Sequence, residues 1–128
     1  MILIIAAIIA CVLFFLLSIF QVLLAIGLPF GRAAYGGKYE TLPKKFRIMS
    51  LIAVGIFVFG IIIVLERAAI MTVFNNDLLT TIVIWIYAVY STLNTLMNAV
   101  SKSQWEKRIM SPISLVIAVC CFILAILG

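Results

Sequence analysis

The chain contains no histidine, little charge and few cysteines, and each shortage excludes a class of chemistry. Without an imidazole, it lacks the side chain that most often serves as a general base near neutral pH and as a zinc ligand. None of the four carboxylates is placed by periodicity beside another for acid–base work. Serines without a base are not nucleophiles. The three cysteines, Cys11, Cys120 and Cys121, are odd in number, lack Cys-x-x-Cys spacing and lie within apolar segments. They fit neither a disulfide framework nor a metal site, and read as small thiols packed between helices. No enzymatic activity and no metal or other cofactor is expected.

Only 10% of the 128 residues are charged and 67% are hydrophobic, where a soluble domain carries roughly 25% charge. So little polar surface cannot coat a globule, and lipid must be the solvent for much of the chain. A single membrane domain over residues 1–128 is the expected organisation. No basic segment precedes the apolar run that starts at Met1. That run is therefore expected to remain as an uncleaved span.

The charges that are present orient the chain. Of nine basic residues, Arg32, Lys38, Lys44, Lys45 and Arg47 fall around the first loop, and Lys102, Lys107 and Arg108 in the third. The second loop has Arg67 alone, offset by Glu66 and Asp77. Cytoplasmic loops carry the excess of Lys and Arg. Loops one and three are thus expected inside and both termini outside, in a plasma membrane of bacterial inner-membrane type. The net charge of +5 follows from this bias and calls for no nucleic acid. Its other consequence is attraction to anionic headgroups, worth about 1 kcal/mol per basic residue near the surface.

Four helical spans are expected at about residues 2–28, 46–65, 78–100 and 109–127. The cytoplasmic loops then cover about 29–45 and 101–108, and the outer loop about 66–77. In lipid every backbone polar group needs an internal partner, so these runs form helices. Pro29 and Gly31 punctuate the first, Asn76 or Asp77 caps the third, and Pro112 sits in the first turn of the fourth. The two halves differ in loop length and residue type, so no internal repeat supports a pseudo-symmetric transporter fold.

The first loop superficially suggests a phosphate loop, Gly31 through Gly36, Gly37 and Lys38. An extra glycine precedes the lysine, Tyr39 stands where a magnesium-holding hydroxyl belongs, and no strand leads in, so the motif is rejected. Tyr35 and Tyr39 read instead as interfacial rings. Arg32, Lys38, Lys44, Lys45, Arg47, Lys107 and Arg108 are the candidate contacts for lipid headgroups or a partner protein. Glu66 and Arg67 are expected as a snorkelling interfacial pair, and Trp105 with Glu106, Lys107 and Arg108 as a surface anchor.

Inside the membrane, Tyr87, Ser91, Asn94, Asn98 and Ser101 recur at spacings of four, three, four and three, and so line one helical face. Thr95 flanks them. Ser18 and Gln21 of the first span, Ser50 of the second, and Ser111 and Ser114 of the fourth add polar groups at the same depth. Buried in lipid, such groups point inward and pair with one another or with water. Two readings follow: interhelical hydrogen bonding, or a wet vestibule lined by Ser18, Gln21, Tyr87, Ser91, Asn94, Asn98 and Ser101.

Seams of small residues mark the first span (Ala7, Cys11, Phe14, Ser18, Gln21, Ala25) and the fourth (Ser111, Ser114, Ala118, Cys121, Ala125, Gly128). Small residues allow close helix approach in lipid, and the seven-residue rhythm implies a left-handed antiparallel bundle. The first and fourth spans should pack together with Cys11 and Cys121 at similar depth, both reduced, and Cys120 facing elsewhere.

In size and span number the chain resembles the small multidrug resistance transporters. That family's acidic residue in the first span is absent; Ser18 and Gln21 stand there instead. The likeness is one of architecture. The leading expectation is a non-catalytic membrane component: an assembly, regulatory or accessory partner of a larger complex, or a homo-oligomer. The alternative is a transporter or channel subunit whose neutral polar vestibule beneath a basic rim takes an anion or small neutral solute.

Overall fold

The computed structural model describes residues 1–31 and 34–128. Four long helices account for most of them: α1 (Ile2–Ala25), α2 (Lys44–Arg67), α3 (Asp77–Ala99) and α4 (Ser111–Leu127). A short 3-10 turn, Tyr35–Gly37, lies in the first loop, and a π-helical turn, Glu106–Met110, leads into α4. No strand occurs among the described residues. Counting the π turn with α4, all four helices are long and apolar enough to cross a membrane. At 1.5 Å per residue, the 24 residues of α1 extend about 36 Å, against a hydrocarbon core of about 30 Å.

The helix ends follow local chemistry and shift several expected borders. α1 stops at Ala25, short of Leu28, because Gly27 turns left-handed at φ +95°. The Gly27 and Leu28 N–H groups then donate to the carbonyls of Leu24 and Leu23, both at 3.1 Å, satisfying the orphan acceptors of the last turn. α2 closes in the same way, with Ala69 N–H on Glu66 O and Ile70 N–H on Leu65 O, both 3.0 Å. Here an alanine occupies the left-handed position, at φ +60°. α2 also starts earlier and ends later than expected, taking Lys44, Lys45, Glu66 and Arg67 into the helix. Asn76 caps α3 by accepting the Leu79 N–H on its side-chain oxygen at 3.0 Å. Pro112 has no N–H to offer the turn before it. That turn widens to π spacing, with the Ser111 N–H donating to Glu106 O.

Neighbouring helices run antiparallel. Between α3 and α4, Trp85 meets Phe122 at one end and Asn98 meets Ser114 toward the other. Between α1 and α2, Cys11 faces Ile61 while Arg47 reaches Ala25. α1 also packs on α4, as the small-residue seams imply, and α2 on α3. One end therefore carries both termini and the 68–76 loop; the other carries the two basic loops.

The core fills the terminal half, with Phe14, Ile63, Ile84, Cys121 and Leu124 fully buried. The Phe14 ring lies 5.8 Å from Phe57 and 5.9 Å from Tyr87. Outward faces stay apolar, including Ile8, Phe15, Ile52, Ile86 and Leu93, which suits a hydrocarbon solvent. Cys120 is buried in the same core cluster as Cys121 and does not face away from it, because neighbours enclose α4 on two sides. The Cys11 thiol faces the Ile61 carbonyl of α2, at 4.0 Å. At the basic end Gly31 donates to Glu40 O at 2.8 Å, and a Cβ there would lie 2.3 Å from the Tyr39 carbonyl oxygen. Only glycine permits that approach, which pinches the first loop closed.

Candidate functional site

The polar residues of the basic half surround a cavity of about 500 Å³. α1 contributes Phe20 and Gln21, and α2 contributes Ala53 and Phe57. α3 adds Asn94, Asn98 and Ser101, while the π turn and α4 add Glu106 and Ser114. Ala34 and Gly36 of the first loop complete the wall. Among the described residues the cavity's lining does not reach the end that carries the termini. A hollow of about 10 Å³ beside Tyr87 and Ser91 holds at most a water, and the packed core lies beyond.

Four of the seven residues expected in a vestibule line this cavity: Gln21, Asn94, Asn98 and Ser101. The amides do two things at once. The Nδ2 groups of Asn94 and Asn98 both donate to the Ser114 hydroxyl at 3.2 Å, joining α3 to α4. The same side chains face the cavity, so hydrogen bonding between helices and a polar wall are one structure. Tyr87 and Ser91 line only the small hollow, and the Tyr87 hydroxyl donates to the Ile56 carbonyl, bridging α3 to α2. Ser18 lines neither space; its hydroxyl donates to Phe14 O at 2.8 Å within its own helix.

Glu106 is the residue that sequence reasoning misplaced. It is not part of a surface anchor: only 6% of it is exposed, and it forms part of the cavity wall. The wall therefore includes a carboxyl group. The signal was Ser103-x-x-Glu106, a helix-start pattern that puts Glu106 inside the fourth helix rather than in the loop. Ser103 does accept the Glu106 N–H on its hydroxyl, at 3.4 Å. Trp105, Lys107 and Arg108 are exposed as expected, and Lys102 joins the rim.

Lys38, Lys44 and Lys45 are also exposed at this end. The Lys38 ammonium lies 5.9 Å from the Tyr39 ring centre and that of Lys45 5.7 Å from Phe46. Arg47 is half-buried, and its Nε donates to Ala25 O at 2.9 Å, at the end of α1. The candidate contact Arg32 and the ring of Tyr35 lie outside the described residues.

At the opposite end Glu66 and Arg67 take separate partners instead of forming the expected pair. A Glu66 carboxylate oxygen accepts the Val73 and Phe74 N–H groups at 2.6 and 2.8 Å, folding the second loop. Arg67 donates to Thr81 Oγ1 at 2.9 Å and to the carbonyls of Leu124 and Ala125 at 3.1 and 3.3 Å. Adjacent residues on a helix diverge by about 100°, which sends the two side chains to different neighbours. Comparison with family models, curated proteins and solved structures finds no match to this chain.

Proposed function

We propose that the chain is a small, non-catalytic, multi-pass component of a bacterial inner membrane that binds a small polar molecule from the cytoplasmic side. In this reading the helices form a left-handed bundle with both termini outside and the basic loops inside, next to anionic headgroups. Its role is accessory or regulatory, occupancy of the cavity being sensed by a membrane partner or a second copy. The observation that carries the reading is the 500 Å³ cavity, walled by Gln21, Asn94, Asn98 and Ser101. That volume lies within the roughly 300–1,000 Å³ typical of small-molecule sites. Its closure by the buried layer around Phe14, Ile63 and Ile84 supports binding over conduction.

The test is thiol accessibility. In a chain with its three native cysteines replaced by alanine, Ser101→Cys should react with a membrane-impermeant maleimide supplied from the cytoplasmic face and resist it from the outer face. Protection from both faces would leave a dry bundle with no site. Flux of a small neutral solute through liposomes holding the purified protein would return the transport reading to first place.

A further inference from the structure

Two acceptors at this cavity have no donor among the described residues. Oε1 of Gln21 and Oε1 of Glu106 are each shielded from solvent, and neither has a hydrogen-bond partner among the described residues. They belong to different helices, yet both side chains line the one cavity. A buried acceptor without a donor loses its hydration and regains nothing, so it favours any donor that reaches it. The neighbouring amides of Asn94 and Asn98 each place one Nδ2 hydrogen on Ser114, and neither amide reaches the two acceptors. Backbone does not either: the Glu106 oxygen sits at the start of a helix whose first N–H groups are satisfied elsewhere, by Ser103 Oγ and Ser103 O.

Phe20, Phe57 and Tyr90 supply apolar wall to the same space. A site with carbonyl and carboxyl acceptors on one side and aromatic side chains on the other suits a molecule with an N–H-rich, positively charged head and a short apolar body. We propose that the cavity is an amine site: it takes a small aryl- or alkyl-ammonium compound, whose head donates to Glu106 and Gln21. Among the described residues the one cation on the wall, Lys102, is exposed. Its long side chain keeps the ammonium at the rim in water and leaves the interior to the acceptors. The anion expected from neutral walls gives way to a cation, because the wall carries a buried carboxyl.

This inference rests on the cytoplasm-accessible cavity proposed above, and the experiment keeps the two apart. Full-length protein in lipid nanodiscs is equilibrated with radiolabelled phenethylammonium, displaced in turn by unlabelled phenethylammonium, phenethyl alcohol and 3-phenylpropionate. These probes share one body and differ in the head. Saturable binding should rank ammonium first, alcohol second and carboxylate last. Glu106→Gln should weaken the ammonium about 10- to 100-fold, the range expected for a hydrogen bond to a charged group, while the alcohol shifts far less. Gln21→Leu should weaken both ammonium and alcohol, and serves as the second variant where Glu106→Gln fails to fold. Carboxylate binding as tightly as ammonium, equal binding of all three heads, or no saturable binding would overturn the amine site. If Ser101→Cys still labels from the cytoplasmic face in those cases, the cavity stands and only its ligand class has been misjudged. If it does not label, the cavity reading has failed as well.

Discussion

Arg67, on the last turn of α2, donates to the main-chain oxygen of Leu124 at 3.1 Å and so closes the end of α4 from across the bundle. Arg47 does the same at the other end of α2, donating to Ala25 O of α1. The last carbonyls of a helix carry the negative end of its dipole, so a guanidinium there is favoured. Ala25 O gains a donor in this way, whereas Leu124 O also accepts the Gly128 N–H and is shared. Through its two arginines α2 thus fastens the C-terminal ends of two other helices.

Removing that fastening should be costly. Arg67→Met, which keeps the apolar stem, is expected to lower stability by about 2–3 kcal/mol, the worth of hydrogen bonds from a charged donor. Arg67→Lys should recover only part, because a point ammonium cannot span Thr81, Leu124 and Ala125 as the planar fork does. Reversible unfolding in mixed micelles measures both. Equal stability of wild type and Arg67→Met would show that these contacts contribute nothing net.

Ala69 holds the left-handed position that ends α2 at φ +60°. A Cβ is disfavoured there, whereas glycine adopts the conformation freely. Ala69→Gly should therefore stabilise the protein by about 1 kcal/mol despite glycine's greater freedom in the unfolded chain. A lower thermal midpoint would mean that the turn is not held as described.

Asn94 and Asn98 share one acceptor, the Ser114 hydroxyl. Removing one amide leaves that oxygen satisfied by the other; removing both does not. Single Leu replacements should each cost about 0.6 kcal/mol or less, near the average for interhelical bonds in membranes. The double replacement should cost more than the two together. Strict additivity in a double-mutant cycle would argue that the two amides do not act on the same group.

Topology can be checked independently. Cysteines introduced at Lys38 and Lys107 should be labelled only from the cytoplasm, and one at Asn76 only from outside, as the distribution of basic residues implies. Labelling of the Asn76 position from the cytoplasmic side would invert the protein and move the cavity to the outer face.

Much of the fold was legible in the chain because it depends on quantities local in sequence. Long apolar runs demand helices in lipid, Asn76 supplies its own cap chemistry, and the seams of small residues indicated that α1 and α4 pack together. The stripe containing Asn94, Asn98 and Ser101 was visible as a helical period, and so was its inward direction. What it faced was not. A period gives the phase of one helix about its own axis, whereas contact depends on the relative phase and height of two.

Amino-acid sequence by itself determined that this protein is a set of four apolar helices with polar groups gathered at the basic end. Only the tertiary structure decided that Asn94 and Asn98 converge on Ser114, that Arg67 leaves its neighbour Glu66 for the end of α4, and that Glu106 enters the cavity. The last case shows the physical reason most plainly. One π turn before Pro112 adds about one residue to a helical turn, which rotates everything upstream by roughly 100° relative to a regular helix. That rotation is enough to move a carboxyl between the surface and the interior, and it arises from packing and from a missing N–H rather than from any periodicity in the chain.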